Sequence, residues 1–357
     1  YNIIPVYVSK KREMYTGDAL KDIDEFKNLP ELLKKCVQVT FLNTPEGVKM
    51  LPEKRGCFKL KNAVGIDFAF PIVHGTNCED GTIEGFIETL GIPYAECNVI
   101  SSAVGMDKIL FKDICRSQGF PVIDGFGFTA REFSENRKDV LDRIESKLGY
   151  PVIIKPANLG SSIGISKASD RMALEEKITL ACSFASRILA DMAIVNLREI
   201  NCSVLGDGSS CKASVCEEPV MNDEILSFSD KYESNSSSKG MASLSRIIPA
   251  KIPDEKTKEI QDISERLFKY LDCCGVVRID FIIDEGDGGK VYINEINTIP
   301  GSLAFYLWKE SGIEYKELLD KMISLGQKRD RDRKNLTFTY DTNILEKGAF
   351  GAKGAKK

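Results

Sequence analysis

The chain has 357 residues, enough for two or three domains with ample core. A hydrophobic fraction of 43%, a charged fraction of 29% and a net charge of −4 suit ordinary globular domains, with no call for a nucleic-acid or anionic-membrane partner. No apolar run reaches the ~20 residues that span a bilayer, eleven scattered cysteines without a CxxC pair suggest reduced thiols in a cytoplasm rather than a disulfide framework or zinc site, and the single histidine, His74, excludes multi-histidine metal sites.

Asn2–Ser9 (NIIPVYVS) reads as a strand that begins abruptly, as if an earlier strand preceded it. Residues 10–62 mix charged loops with short apolar runs. Val64–Val73 (VGIDFAFPIV) has the β-branched and aromatic pattern of a buried strand. It empties into His74-Gly75-Thr76-Asn77-Cys78-Glu79-Asp80-Gly81, and a helix is predicted over Thr82–Leu90, stopped by Gly91 and Pro93. Strand, polar loop and helix form half of an α/β unit, whose loop leaves the carboxyl end of the strand where open sheets bind ligands. Ser101–Gln118 is predicted as one helix, with Lys108 in its first half. Residues 132–148 form an amphipathic helix ended by Gly149-Tyr150-Pro151.

Val152–Pro156 (VIIKP) is a short strand carrying Lys155 among apolar neighbours, where an ammonium costs desolvation unless an anion meets it. Gly160-Ser161-Ser162-Ile163-Gly164 either turns a hairpin or wraps a polyphosphate with its amides and hydroxyls. It is not a GxxxxGK[ST] loop. Residues 170–188 are helical, and Ala190–Leu205 is a strand pair or a bent strand. Glu199, in a strand-like segment with Leu197 and Ile200, belongs to a site or an ion pair. Residues 229–246 lack apolar periodicity, as a lid or a disordered surface loop would. Pro253–Leu271 is an amphipathic helix, Gly312–Leu325 another, and Leu336–Leu345 a strand-like run before a low-complexity tail.

Between those helices, Val276–Gly301 (VVRIDFIIDEGDGGKVYINEINTIPG) reads as two strands joined by a glycine-rich turn. Residues two apart on a strand share a face. If Glu285 and Lys290 flank a four-residue loop, counting back sets Asp280 opposite Glu295 and Arg278 opposite Asn297. Opposed carboxylates roughly 5 Å apart repel, unless a hard cation such as Mg²⁺ sits between them with phosphate completing its shell. A solvent-facing edge hairpin is the alternative.

The ordered set HGxxxEDGTxxG, MDK, Lys-Pro, GSSxG, RxDF and NEINTxPG, from about residue 64 to 302, resembles the D-alanine–D-alanine ligase family of the ATP-grasp fold. The resemblance implies an α/β (α+β) architecture. Residues 1–101 would form an N-terminal α/β substrate domain, 102–190 and 191–345 the two ATP-grasp subdomains, and 346–357 a tail. It implies ATP and two Mg²⁺ ions, which Mn²⁺ can replace, as cofactors. Lys108 and Lys155 match the lysines on the ATP phosphates, Ser161 and Ser162 the loop that closes over them, Asp191 the nucleotide hinge and Glu199 the nucleotide-binding glutamate. Asp280, Glu295 and Asn297 match the metal ligands. Arg278 and the Gly301 amide match the groups that steady transition-state charge, with Ser161 and Glu79 also among the catalytic positions. His74 and Glu79 match the loop lining the D-alanine site, and Tyr232, Lys239 and Ser302 are the further substrate positions.

The implied reaction is phosphorylation of a first D-alanine carboxylate by ATP, followed by attack of a second D-alanine amine on the acyl phosphate. The product is a peptidoglycan precursor. ATP and D-alanine are then the partners, with no nucleic acid or membrane and with a homodimer allowed. Four departures touch the substrate side. The family's first strand with its GGxSxE segment is not in the sequence, Tyr1 aligning with the second strand. The hinge Glu-Lys appears as Asp191-Met192. The lid offers both Lys231-Tyr232 and Lys239-Gly240, the latter similar to ligases that make D-alanyl-D-lactate. After Gly301 stands Ser302-Leu-Ala-Phe-Tyr-Leu-Trp308. A different acceptor (D-serine or D-lactate) and a non-catalytic nucleotide-binding relative are the competing readings. A mere binder has little use for Arg278, and relatives of the same fold from biotin or purine pathways are disfavoured by the HGxxxEDGT loop.

Overall fold

The computed structural model describes residues 1–53, 63–160, 163–220 and 246–337. Three sheets organise them. The first is an antiparallel meander in chain order, β1 (Val6–Val8), β2 (Met14–Thr16), β3 (Val37–Thr44), β4 (Gly47–Pro52) and β5 (Val64–Gly65), with helix α1 (Leu29–Lys34) before β3. Its inward residue Val48 packs against Ile87 of helix α2 (Thr82–Leu90), Ile92 and Tyr94.

The expected strand Val64–Val73 shrinks to Val64–Gly65, exposed at the sheet edge. A buried parallel strand needs backbone partners along its edges. Beyond Gly65 the backbone finds one isolated parallel bridge, Ala69 to Tyr94. Phe68 and Phe70 instead pack toward Trp308 and Leu318.

The helix expected over Ser101–Gln118 is two, α3 (Val99–Met106) and α4 (Lys108–Ser117). Between them Asp107 is extended, and its Oδ1 accepts from the Ile109 and Leu110 amides at 3.1 and 3.0 Å, a capping arrangement that starts a new helix. Lys108 is thereby the first residue of α4 rather than a mid-helix surface lysine. The helix over 132–148 is likewise divided into α5 (Ala130–Glu135) and α6 (Arg137–Leu148).

The second sheet has the order β6 (Gly125–Thr129), β9 (Arg187–Met192), β7 (Val152–Pro156), β8 (Ser166–Ala168). Its core joins Ile154 and Ile188 to Ile144 of α6 and to Leu174 and Ile178 of α7 (Arg171–Phe184). The third runs β12 (Arg246–Ile247), β11 (Cys211–Pro219), β10 (Leu197–Gly206), β13 (Gly275–Asp284), β14 (Lys290–Asn297). Ala190–Leu205 is thus a strand pair split between two sheets. Helix α8 (Asp254–Tyr270) covers one face of the third sheet, packing Ile260, Leu267 and Phe268 against Ile200, Val204 and Ile279. By the alternation of a strand, Asn201 and Asp280 point to the opposite face. Helices α9 (Phe305–Glu310) and α10 (Tyr315–Lys334) follow, α10 running longer than the predicted 312–325. Most of the strand-like run 336–345 lies outside the described residues.

Glu84 on α2 is fully buried, and among the described residues its carboxylate oxygens have no hydrogen-bond partner. Burial pushes its carboxyl up from 4.5 to about 7. The native state then holds this proton more tightly than the unfolded chain does. The resulting stability is complete below pH 4.5 and is lost as the pH rises through 7. Across that interval the loss is about 3 kcal/mol. Glu84→Gln should flatten the dependence, so its melting temperature exceeds that of the wild type at pH 8 and not at pH 5. Parallel melting curves for the two proteins from pH 5 to 8 would refute this.

Candidate active site

Strands β13 and β14 bring the central carboxylates together. Arg278 stands opposite Asn297 and Asp280 opposite Glu295, as counting from the turn anticipates. The route to that register differs. The turn closes at Asp284–Lys290, enclosing five residues, and one extra residue, Asn294, bulges from β14 between the partners of Asp280 and Phe281. A four-residue loop without a bulge and a five-residue loop with one give the same pairing at Asp280.

The polar row extends further across the sheet, since Asn201 on β10 faces both Asp280 and Glu217 on β11. Arg278 grips Asp280 through two bonds, Nε to Oδ1 at 2.6 Å and Nη2 to Oδ2 at 2.7 Å. Asn297 adds Nδ2 to Asp280 Oδ2 at 3.1 Å. Glu295 pairs with Lys108 Nζ at 3.1 Å. Burial raises the Asp280 carboxyl despite Arg278, whereas Lys108 holds Glu295 below the usual carboxylate range. Burial opposes charge on Arg278, but Asp280 more than restores it and the guanidinium titrates above its ordinary range.

The lysines arrive from the second sheet and α4. Lys108 donates to the Leu159 carbonyl at 3.0 Å, at the base of the glycine-serine loop. Lys155 donates to Asn294 Oδ1 at 3.2 Å and pairs with Asp191 Oδ2 at 3.0 Å. Asp191 and Lys112, each 1% exposed, pair at 2.5 Å. Sequence reasoning missed Lys112 and Asn294. The i, i+4 spacing of Lys108 and Lys112 beside the buried Phe111 and Cys115 marks Lys112 as inward-facing. Nothing local marks Asn294.

Across the site five cations, Lys108, Lys112, Lys155, Arg246 and Arg278, meet four carboxylates, Asp191, Glu217, Asp280 and Glu295. A buried surplus of positive charge is costly unless an anion joins it. The donor set Asp280, Glu295 and Asn297 suits a hard cation: all are oxygen-bearing side chains, partly buried, and two opposed carboxylates lie on one face. Among the described residues no three or more His, Cys, Asp or Glu are placed to hold a metal ion by themselves, so such an ion would take its remaining ligands from water or phosphate.

At the edge of the site, Glu79 accepts from the Gly75 amide at 2.6 Å and contacts His74 Nδ1 at 3.3 Å, which raises the His74 pKa. The His74 ring faces the Ile299 backbone, bringing this loop to the Pro300-Gly301 turn. After Gly301, Ser302, Leu303 and Ala304 are all left-handed, with φ of 53°, 54° and 47°. Three such residues in a row cost roughly 1–2 kcal/mol each, strain of the kind that clusters at ligand sites. Glu199 lies on β10 opposite Ile282, one residue before the buried Ile200. Ser161, Ser162, Tyr232 and Lys239 lie outside the described residues, as does Lys231.

Residues 1–97 match the family described as "D-ala D-ala ligase N-terminus", and residues 114–324 the one described as "D-ala D-ala ligase C-terminus". The chain is 40% identical to the D-alanine--D-alanine ligase of Thermosipho melanesiensis over 97% of this chain and 90% of that protein. It is 39% identical to the enzyme of that name from Caldicellulosiruptor bescii over 96% and 90%. Among solved structures, a D-alanine-D-alanine ligase from Coxiella burnetii aligns with a TM-score of 0.74 at 27% identity, covering 92% of this chain and 85% of that one. The VanG D-Ala:D-Ser ligase from Enterococcus faecalis aligns at 0.75 and 27%, covering 91% and 90%.

Proposed function

The chain belongs to the D-alanine–D-alanine ligase family, and from that premise we propose that the row Asp280–Glu295, with its converging lysines and Arg278, is where it activates a D-alanine carboxylate. The fold is the ATP-grasp, and the chain is an ATP-dependent ligase that makes D-alanyl-D-alanine for peptidoglycan synthesis. The observation that carries the assignment of residues is the surplus cation, which a polyphosphate would neutralise.

In this reading Lys108 and Lys155 bind ATP phosphates, and the nucleotide base lies toward the apolar cluster of Ile123, Ile194, Ile282 and Tyr292. Ser161 and Ser162 are assigned to the loop over the phosphates, Asp191 to the hinge, and Glu199 to nucleotide binding. Mg²⁺ or Mn²⁺ held by Asp280, Glu295 and Asn297 would supply Lewis-acid neutralisation of the transferring phosphoryl group. Arg278 is permanently charged and binds two oxygens at once, so it stabilises negative charge as the first D-alanine carboxylate attacks and again as phosphate departs. The Gly301 amide donates to the developing oxyanion. His74 and Glu79 line the first D-alanine, Ser302 lies on the acceptor side, and Tyr232 and Lys239 are assigned to acceptor binding. The division at residues 101, 190 and 345, the cytoplasmic location and a homodimer complete the proposal. No helix among the described residues is long and apolar enough to cross a membrane.

The direct test is ADP release with a panel of acceptors. D-alanine alone should support turnover and yield the dipeptide, with D-serine and D-lactate adding little. ADP formed with another acceptor and not with D-alanine would overturn the product assignment.

A further inference from the structure

Lys155 is held from two sides by residues of different sheets. Asp191 belongs to β9 in the second sheet, and Asn294 to β14 in the third. Asp191 Oδ1 accepts a hydrogen bond from Lys112 at 2.5 Å, and Oδ2 stands at ion-pair distance, 3.0 Å, from Lys155 without an aligned hydrogen bond. Lys112 also donates to the Ile123 carbonyl at 3.3 Å. The space for this arrangement is left by Gly125, the register partner of Asp191, where a Cβ would fall 2.2 Å from Asp191 Oδ1. Asp191 is therefore wholly inside the protein, and its carboxylate has no surface to offer a nucleotide.

We propose that Asp191 is a positioning residue which, backed by Lys112 and opposed by Asn294, aims the Lys155 ammonium at the nucleotide phosphates. This rests on the ligase reading and revises the role given there to the Asp191 side chain. A purely structural pair would be complete with Lys112 and Asp191. A second lysine on the same carboxylate adds charge that folding alone does not need. The bulge points the same way. A regular hairpin would already set Glu295 against Asp280, so what the extra residue contributes is an amide oxygen on Lys155. Groups that orient a metal ligand change affinity by about 10–100-fold when removed, and the same scale is expected for groups that orient a phosphate-binding lysine.

The test separates positioning from charge neutralisation. In the double variant Asp191→Asn with Lys112→Met, the buried charges are removed together and the fold is relieved of an unpaired lysine. Positioning predicts that its KM for ATP rises about tenfold or more while its KM for D-alanine and its melting temperature stay near wild type. Asp191→Glu alone should recover part of the loss. A double variant with wild-type ATP KM overturns the proposal. Should the double variant not fold, Asn294→Ala removes the opposite tether on a partly exposed residue, and an unchanged ATP KM there overturns it equally. ATP use by the wild type with an unaffected double variant defeats this inference alone, whereas a wild type that uses no ATP defeats the ligase reading with it.

Discussion

Replacing Glu295 by glutamine should abolish ADP release while the fold survives. The side chain is 31% exposed and meets one cation, Lys108, at 3.1 Å. Removing its charge leaves the largely buried Lys108 bonded to the Leu159 carbonyl and within reach of the glutamine amide oxygen, so the fold is kept at some cost in stability. The penalty to the reaction is larger. Glutamine keeps one oxygen and loses the anion that, with Asp280, makes a hard-cation site. Loss of about 4 kcal/mol of charge stabilisation corresponds to a fall in turnover on the order of 10³-fold. Steady-state ADP release at saturating Mg²⁺, with a far-UV spectrum and melting curve as controls, measures it. Turnover within tenfold of wild type would sink the assignment of Glu295 as a metal ligand.

Arg278→Lys is the second large effect. The guanidinium makes two parallel bonds to Asp280, at 2.6 and 2.7 Å. Lysine is a point charge on a flexible stem and cannot reproduce that fork. If the same fork stabilises the transferring phosphoryl group, turnover should fall on the order of 10³-fold, the lower end of what a transition-state arginine contributes. The ATP KM should change by only a few-fold, because Lys108 and Lys155 remain. A loss confined to ATP KM, with turnover intact, would make Arg278 a binding residue and not a catalytic one.

Much of this site could be read from the residues, for one physical reason. Side chains on a strand repeat every two positions, so a single pairing fixes every neighbour. That is why Asp280, Glu295, Arg278 and Asn297 fall where counting places them, even though the turn is one residue longer than a four-residue loop and β14 carries a bulge. The break before Lys108 was not anticipated, although an aspartate followed by a helical run is a start signal. The Val64–Val73 strand failed because composition describes what a segment can bury and not which edges are open to it. Asn294 was beyond reach, because its partner Lys155 lies in another sheet, 139 positions away along the chain.

The bulge at Asn294 also bears on how such a chain can vary by descent. Losing that one codon would not slide the hairpin, because Ile293 against Phe281 and Glu295 against Asp280 are the pairs of an uninterrupted ladder. Lineages could therefore differ in length at this column and still keep every carboxylate in place. The change would be felt at Lys155, on a strand far away in sequence. A gap at position 294 should accordingly travel with substitutions at 155 and 191, a correlation that a hairpin considered alone would never suggest.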